Sequence, residues 1–231
     1  MTEASAGDKT VNDLLAGLPL HRHKLEIAGR SWLIDAIANQ ELLLAVSDRF
    51  QEFPYGMLLW ESAPVLGTVL AERGSLSGKH VLELGAGVGL VGLIARHLGG
   101  EVSQTDHARE VLMIAAKNAR LNGIMGIRQF NADWQDWTNN DISEPYDVIV
   151  GSDILYDGSA HEPIANVLAA SLAQNGIAIL TDPGRTATPF FIRTMRNKGW
   201  CINEQERRIA ALVPSHVNEL LTISVLMISR N

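Results

Sequence analysis

The sequence contains a single cysteine, Cys201. One thiol excludes a disulfide framework within the chain and any zinc site built on cysteines. It suits a reducing compartment, so a cytoplasmic location is expected. Cys201 itself is expected to be buried and inert. Long apolar runs are also missing, so neither a membrane span nor a membrane partner is expected. The first residues, MTEASAGDKTVNDLLAGLPLHRH, lack the basic start and continuous apolar core of a secretory signal. Basic residues are in short supply, with 19 Lys and Arg against 26 Asp and Glu and a net charge of -7. Neutralising phosphates needs a basic face, so nucleic acid is not an expected partner. The acid balance suits a basic partner, such as a lysine-bearing protein surface. His21 and His23 alternate along one strand face, but no third ligand accompanies them and no metal site is expected.

What is present is enough for one domain with a small appendage: 231 residues, 46% hydrophobic and 19% charged. Residues 1–20 read as a flexible tail. Residues 21–55 read as an extension, with a hairpin flanking Gly29-Arg30 and a short helix in NQELLLAVSDRF. From 56 to 231 the pattern is that of the main domain. A helix is expected over 61–73, with Pro64 tolerable in its first turn. Strand and helix then alternate. Strands fall on HVLEL, EVSQTD, IRQFNA, YDVIVGSD and IAILTD, and helices on 88–98, 108–122, 160–174 and 188–198. Two last strands, near 200–209 and 219–229, have no helix between them. Repeated β-α-β units with short connections predict a doubly wound, mostly parallel sheet. The helix-free final pair predicts one antiparallel strand near the C-terminus.

Residues 80–106, HVLELGAGVGLVGLIARHLGGEVSQTD, carry the strongest local signal. Read from Gly87, the run Gly87-x-Gly89-x-x-Gly92 fits a dinucleotide turn, with Asp106 at the distance of a ribose-binding acid, and suggests NAD. Read from Gly85, where the strand stops, that pattern fails because its third glycine position is Leu90. The strand logic favours the second frame, since a dinucleotide turn needs its first glycine at the strand end. Glu83 adds a carboxylate near the strand's C-terminal end, facing the crevice where open α/β sheets bind ligands. Beside a helix N-terminus it repels a pyrophosphate and suits a ligand with a positive group, which points to S-adenosylmethionine.

On these residues the chain resembles the class I, seven-strand S-adenosylmethionine methyltransferases. VLELGAGVGL looks like their first motif and QTD like their ribose-binding strand end. The likeness implies that Glu83, Gly85, Ala86, Gly87 and Gly89 line the methionine and ribose part. It also implies that Asp106 accepts from the ribose hydroxyls, that Asp133 and Trp134 flank the adenine, and that Ser152 and Trp60 complete the donor site. Four further stretches, GMLLWESAPVL, ADWQDW, SDILYD and TDPGR, narrow the resemblance to the branch that modifies lysine side chains of folded proteins. Its signature is Asp153-x-x-Tyr156. The run Asp182-Pro183-Gly184-Arg185 is similar to the group acting on the electron-transfer flavoprotein β subunit, and the Trp60 region is closer to other protein-lysine members.

The implied catalytic residues are Asp153 and Tyr156, with Arg185 as a substrate contact and a protein bearing a target lysine as partner. A carboxylate by itself raises a lysine's pKa, so Asp153 is expected to attract and orient the amine rather than to deprotonate it. Other readings stay open. They are N-methyl transfer to a small amine or heterocycle, an NAD-dependent oxidoreductase, and a non-catalytic binding module on the same fold.

Overall fold

The structure is a computed structural model and describes residues 15–139, 144–212 and 220–231. The first fourteen residues of the expected tail, and residue 219 of the expected last strand, lie outside the described residues. Leu15 and Leu18 are buried.

The chain begins with an antiparallel hairpin of β1 (Leu20–Ile27) and β2 (Arg30–Ile37). Ala28 and Gly29 form its two-residue turn with φ of 57° and 68°, the left-handed pair that matches hairpin twist. A short helix, α1 (Gln40–Val46), follows, capped by the Asn39 side chain on the Leu42 amide. The main domain alternates α2 (Ser62–Arg73), β3 (His80–Leu84), α3 (Leu90–His97), β4 (Glu101–Asp106), α4 (Arg109–Leu121), β5 (Arg128–Asn131), β6 (Tyr146–Ser152), α5 (His161–Ser171), β7 (Leu172–Asp182) and α6 (Thr188–Asn197). Then come β8 (Trp200–Ala210) and β9 (Leu220–Arg230).

The seven strands lie in the order β5-β4-β3-β6-β7-β9-β8. The central strands read as unbroken apolar runs because helices cover both their faces: Val81, Leu82, Ile149, Val150, Ile179 and Leu180 are fully buried. β9 is the expected reversed strand. It slots between β7 and β8 and runs antiparallel to both. β4 and β6 flank β3 on opposite sides, so the chain's winding reverses beside β3.

Two expectations are corrected. The helix expected over 160–174 stops at Ser171, and Leu172 already pairs with Tyr146 as the start of β7. Asn175-Gly176 therefore marks an irregularity within a strand, where the register shifts between Tyr146 and Val148. A side chain at Gly176 would come within 3.0 Å of the Asp147 carbonyl. Cys201 is exposed, because it faces outward from β8 at the sheet's edge.

The hairpin is fastened to α4 by two asparagines one helical turn apart. Asn122 accepts from the Leu33 amide (2.9 Å) and donates to the Leu33 carbonyl (2.7 Å). Asn118 accepts from the Asp35 amide (2.9 Å), donates back to the Asp35 carbonyl (3.0 Å), and reaches the Val88 carbonyl (2.9 Å) in the glycine turn. The i, i+4 spacing puts both amides on one face, where they imitate the missing neighbour strand of β2. Arg22 holds the buried Asp35 carboxylate in a two-point pair, with Lys117 at 2.9 Å, and that pairing takes the carboxyl down to about 2.

Asn122→Ala leaves both polar groups of Leu33 without partners. The expected cost is ~2 kcal/mol of unfolding free energy, read from the urea midpoint; an unchanged midpoint would show the amide bridge to be incidental.

Candidate active site

The C-terminal ends of β3, β4 and β6 open into one crevice beside the winding reversal. After β3 the chain turns through Gly85, Gly87 and Gly89, all with positive φ. The turn is tied down by the Ala86 amide on the Thr105 carbonyl (2.8 Å). A Cβ at Gly85 would lie 2.9 Å from Ile154 Cγ2 and 3.6 Å from the Trp134 ring; one at Gly87 would lie 3.2 Å from the Gly56 carbonyl. These two glycines let three segments converge on the crevice floor. Gly89 serves packing instead, since its Cβ would strike Ala115 of α4 at 2.8 Å, and it does not line the crevice. Gly92 likewise makes room for the Glu83 and Gln104 side chains. Two glycines of the dinucleotide frame thus have packing roles.

Glu83 is almost fully buried and its Oε2 accepts from the Gly92 amide (3.0 Å) in the first turn of α3 and from Gln104 Nε2 (2.7 Å). The carboxylate therefore anchors the helix N-terminus as well as lining the crevice. Burial pushes its carboxyl up to about 8, against the pull of those two donors. Asp106, at the end of β4, accepts from the Gly87 amide through Oδ2 (3.0 Å) and from the Ala108 amide through Oδ1 (3.2 Å). Each oxygen keeps a lone pair for a ligand hydroxyl. Burial raises this carboxyl too. His107 lies 3.4 Å from Asp106 and 3.3 Å from Glu52.

Trp134 lines the crevice, and its indole N–H is buried with no partner among the described residues. Asp133 faces outward and accepts from the Gln135 amide (2.9 Å), so of the expected adenine-flanking pair only the tryptophan reaches the crevice. Ala86 and Ser152 both line it.

Asp153, Tyr156, Trp60 and Tyr55 line this crevice and also a second cleft beside it, which adds Gln40, Arg185 and Thr186. Asp153 has a φ of 54°, left-handed for a residue with a side chain, and its amide donates to the Thr181 carbonyl (2.8 Å). That backbone costs about 1 kcal/mol or more. Both carboxylate oxygens face Arg185: Nε to Oδ1 is 2.9 Å and Nη2 to Oδ2 is 2.7 Å. The Arg185 guanidinium is 5.7 Å from the centre of the Trp60 ring. Its backbone is set by Asp182, whose Oδ1 accepts from the amides of Gly184 and Arg185, both at 2.8 Å. Trp60 donates its indole N–H to the Tyr55 carbonyl (3.1 Å). Tyr156 is half exposed, its ring 6.1 Å from Tyr55. Burial, followed by the nearby Asp106 and Asp157, raises its phenol, which stays a neutral donor. Buried His161 lies 3.1 Å from the Leu155 carbonyl through Nε2 and fixes the turn carrying Tyr156.

Sequence reasoning passed over Tyr55, Gly56 and Gln40. Pro54 and Gly56 read only as a turn, and nothing local shows that this turn lies across the glycine loop.

A model of the family described as lysine methyltransferase matches residues 38–197. The chain belongs to that family. Among relatives, histone-arginine methyltransferase METTL23 of Xenopus laevis is 35% identical over 115 residues, covering 48% of this chain and 49% of that protein. A histidine protein methyltransferase 1 homolog of Dictyostelium discoideum is 32% identical over 125 residues, covering 52% of this chain and 40% of the other. Protein N-lysine methyltransferase METTL21A of Danio rerio is 32% identical over 125 residues, covering 52% and 56%. The chain thus spans about half the length of the relatives it matches. Solved structures agree on the fold. A ribosomal protein L11 methylase from Lactobacillus delbrueckii superposes with a TM-score of 0.53 at 23% identity, covering 72% of this chain and 77% of that one. A putative transferase from Pyrococcus horikoshii gives 0.56 at 16%, covering 93% and 74%.

Membership of a lysine methyltransferase family implies S-adenosylmethionine as methyl donor, and the crevice fits that molecule. Glu83 and Asp106 line it, and among the described residues no lysine or arginine does. Two carboxyls without a basic side chain offer a pyrophosphate no countercharge, while a cationic donor favours their ionised forms. The close glycine turn, the free lone pairs on Asp106 and the unpartnered Trp134 N–H supply a floor, a sugar acceptor and a spare donor.

Glu83 offers a test without ligand. A carboxyl raised from 4.5 to about 8 on folding gives stability that is complete below about 4.5 and lost as pH climbs through 8. Glu83→Gln is neutral throughout. Its melting temperature, minus that of the wild type, is expected to grow between pH 5 and 8.5; parallel curves would refute a buried, titrating Glu83.

Proposed function

We propose that this protein transfers a methyl group from S-adenosylmethionine to a lysine side chain of a protein. The observation that carries the reading is the shared wall. Asp153, Tyr156, Trp60 and Tyr55 border both the crevice with the sugar-binding acid and the open cleft next to it. The relatives' names assign them to arginine, histidine or lysine residues of proteins, which favours a protein acceptor here. The family's own description favours lysine.

When bound, the donor supplies an electrophilic methyl group on a sulfonium. The chain's residues orient the partners and control water. Gly85, Ala86 and Gly87 would let the backbone approach the donor closely, and Asp106 would accept from the ribose hydroxyls. Trp134 would border the adenine, with its indole N–H as a hydrogen-bond donor. Tyr55, Trp60 and Tyr156 flank the aliphatic stem of the incoming lysine and strip water from its amine. A free lysine holds its proton to about pH 10.4, and desolvation lowers that figure. The proton leaves to water. Asp153 would then hold the neutral amine by one N–H and leave its lone pair free for attack.

Incubating the purified protein with a cell extract and radiolabelled donor is expected to label a protein band, with methyl-lysine identified by mass spectrometry. Label confined to small molecules would overturn the protein-acceptor reading. Asp153→Asn is expected to lower turnover by about 10²-fold or more, while calorimetric affinity for S-adenosylhomocysteine stays within a few-fold. Asp106→Ala is expected to do the reverse, with affinity for S-adenosylhomocysteine lost by about tenfold.

A further inference from the structure

Asp153 presents a contradiction if it acts alone. A buried carboxylate beside a lysine stabilises the ammonium, which cannot attack. Yet the same carboxylate is the group best placed to orient the amine. The structure resolves this with Arg185. Its planar fork takes both carboxylate oxygens at 2.9 and 2.7 Å, the geometry of a full two-point ion pair. The carboxylate is 4% exposed and the guanidinium 37%, so the pair is screened from water mainly on the acid's side. Each oxygen still has a second lone pair. The Asp182 turn fixes Arg185 from below, and the Trp60 ring borders it on one side. Asp153 cannot drift away, because its left-handed backbone is pinned to Thr181.

We propose that Arg185 is the charge-compensating partner of Asp153, letting the carboxylate accept a hydrogen bond from the acceptor amine without favouring the amine's protonated, unreactive form. This rests on the lysine-methylating reading of the same site. It makes Arg185 a positioning residue rather than a direct contact for substrate. Hydrogen bonding to Asp153 keeps Arg185 charged well into the alkaline range, so the compensation persists wherever lysine can lose its proton.

The other ionisable groups around the pair are known. Asp182 and Tyr156 act on Arg185; Asp157, Asp106 and Tyr55 act on Tyr156; and His107 and His161 act in turn on Asp106 and Asp157. None of them replaces the arginine's positive charge at Asp153 in the alkaline range where the amine must lose its proton.

The test compares wild type, Arg185→Gln and Arg185→Lys, each first checked for a cooperative melt. Labelling of dialysed extract proteins is followed from neutral to alkaline pH. Removing the compensating charge is expected to move the acid limb of the rate profile upward by about one pH unit. Arg185→Lys keeps the charge but not the fork, so its limb should stay in place with a lower plateau. A purely structural arginine would lower the Arg185→Gln rate by one factor at every pH, and coincident limbs would overturn the proposal.

A second measurement needs no acceptor. S-adenosylmethionine and S-adenosylhomocysteine differ by one positive charge, and Asp153 borders their crevice. In Arg185→Gln the ratio of their dissociation constants should shift toward the cation by about threefold or more. An unchanged ratio would also overturn the proposal. A shifted ratio with no labelled protein in the wild type would support the compensation and refute the protein-methylating reading alone.

Discussion

One fully buried amide, that of Asn118, joins the parts on which the crevice depends. Its oxygen and nitrogen serve both backbone groups of Asp35, and its second N–H reaches Val88 in the glycine turn. The hairpin, α4 and the crevice floor thus meet at one side chain. An unsatisfied amide at this depth would cost more than the bonds contribute, so the three parts are held in a single arrangement. The segment leaving β2 is held in register by a bridge between Ile37 and Leu58, which brings Tyr55 and Trp60 over the glycine turn.

The two halves of the site are built by different means. The crevice rests on close backbone approach: glycines with positive φ, strand ends, and acids braced by amide donors. The neighbouring cleft rests on side chains presented by loops after β6 and β7 and by the N-terminal segment. The crevice lies at the strand ends and the cleft on connections, the usual division in open α/β proteins.

Much of this was legible in the sequence because it follows from period and punctuation. The alternation of apolar runs with amphipathic helices gave the parallel sheet, and the helix-free final pair gave the reversed strand β9. The strand ends gave Glu83, Asp106 and Asp153, since a residue at the C-terminal end of a central strand faces the crevice whatever the loops do. Contacts between distant segments were not legible. Nothing near Arg185 announces that its partner is Asp153, and nothing near Asn122 announces that it completes the edge of β2. Asp133 and Gly89 fit a motif by spacing, yet one caps a turn and the other clears space for Ala115. Leu172 reads as a helix residue locally but pairs with Tyr146, because sheet pairing outweighs weak helix preference.

The left-handed backbone at Asp153 limits what evolution can place there. Glycine enters that conformation freely, aspartate and asparagine at a smaller penalty than longer side chains. Of these three only aspartate carries a charge. A glutamate would meet a reluctant main chain and would also carry its carboxyl one methylene further, out of step with a guanidinium fixed by its own turn. Handedness and reach narrow the position to aspartate and asparagine, and the fixed guanidinium decides for the one with a charge.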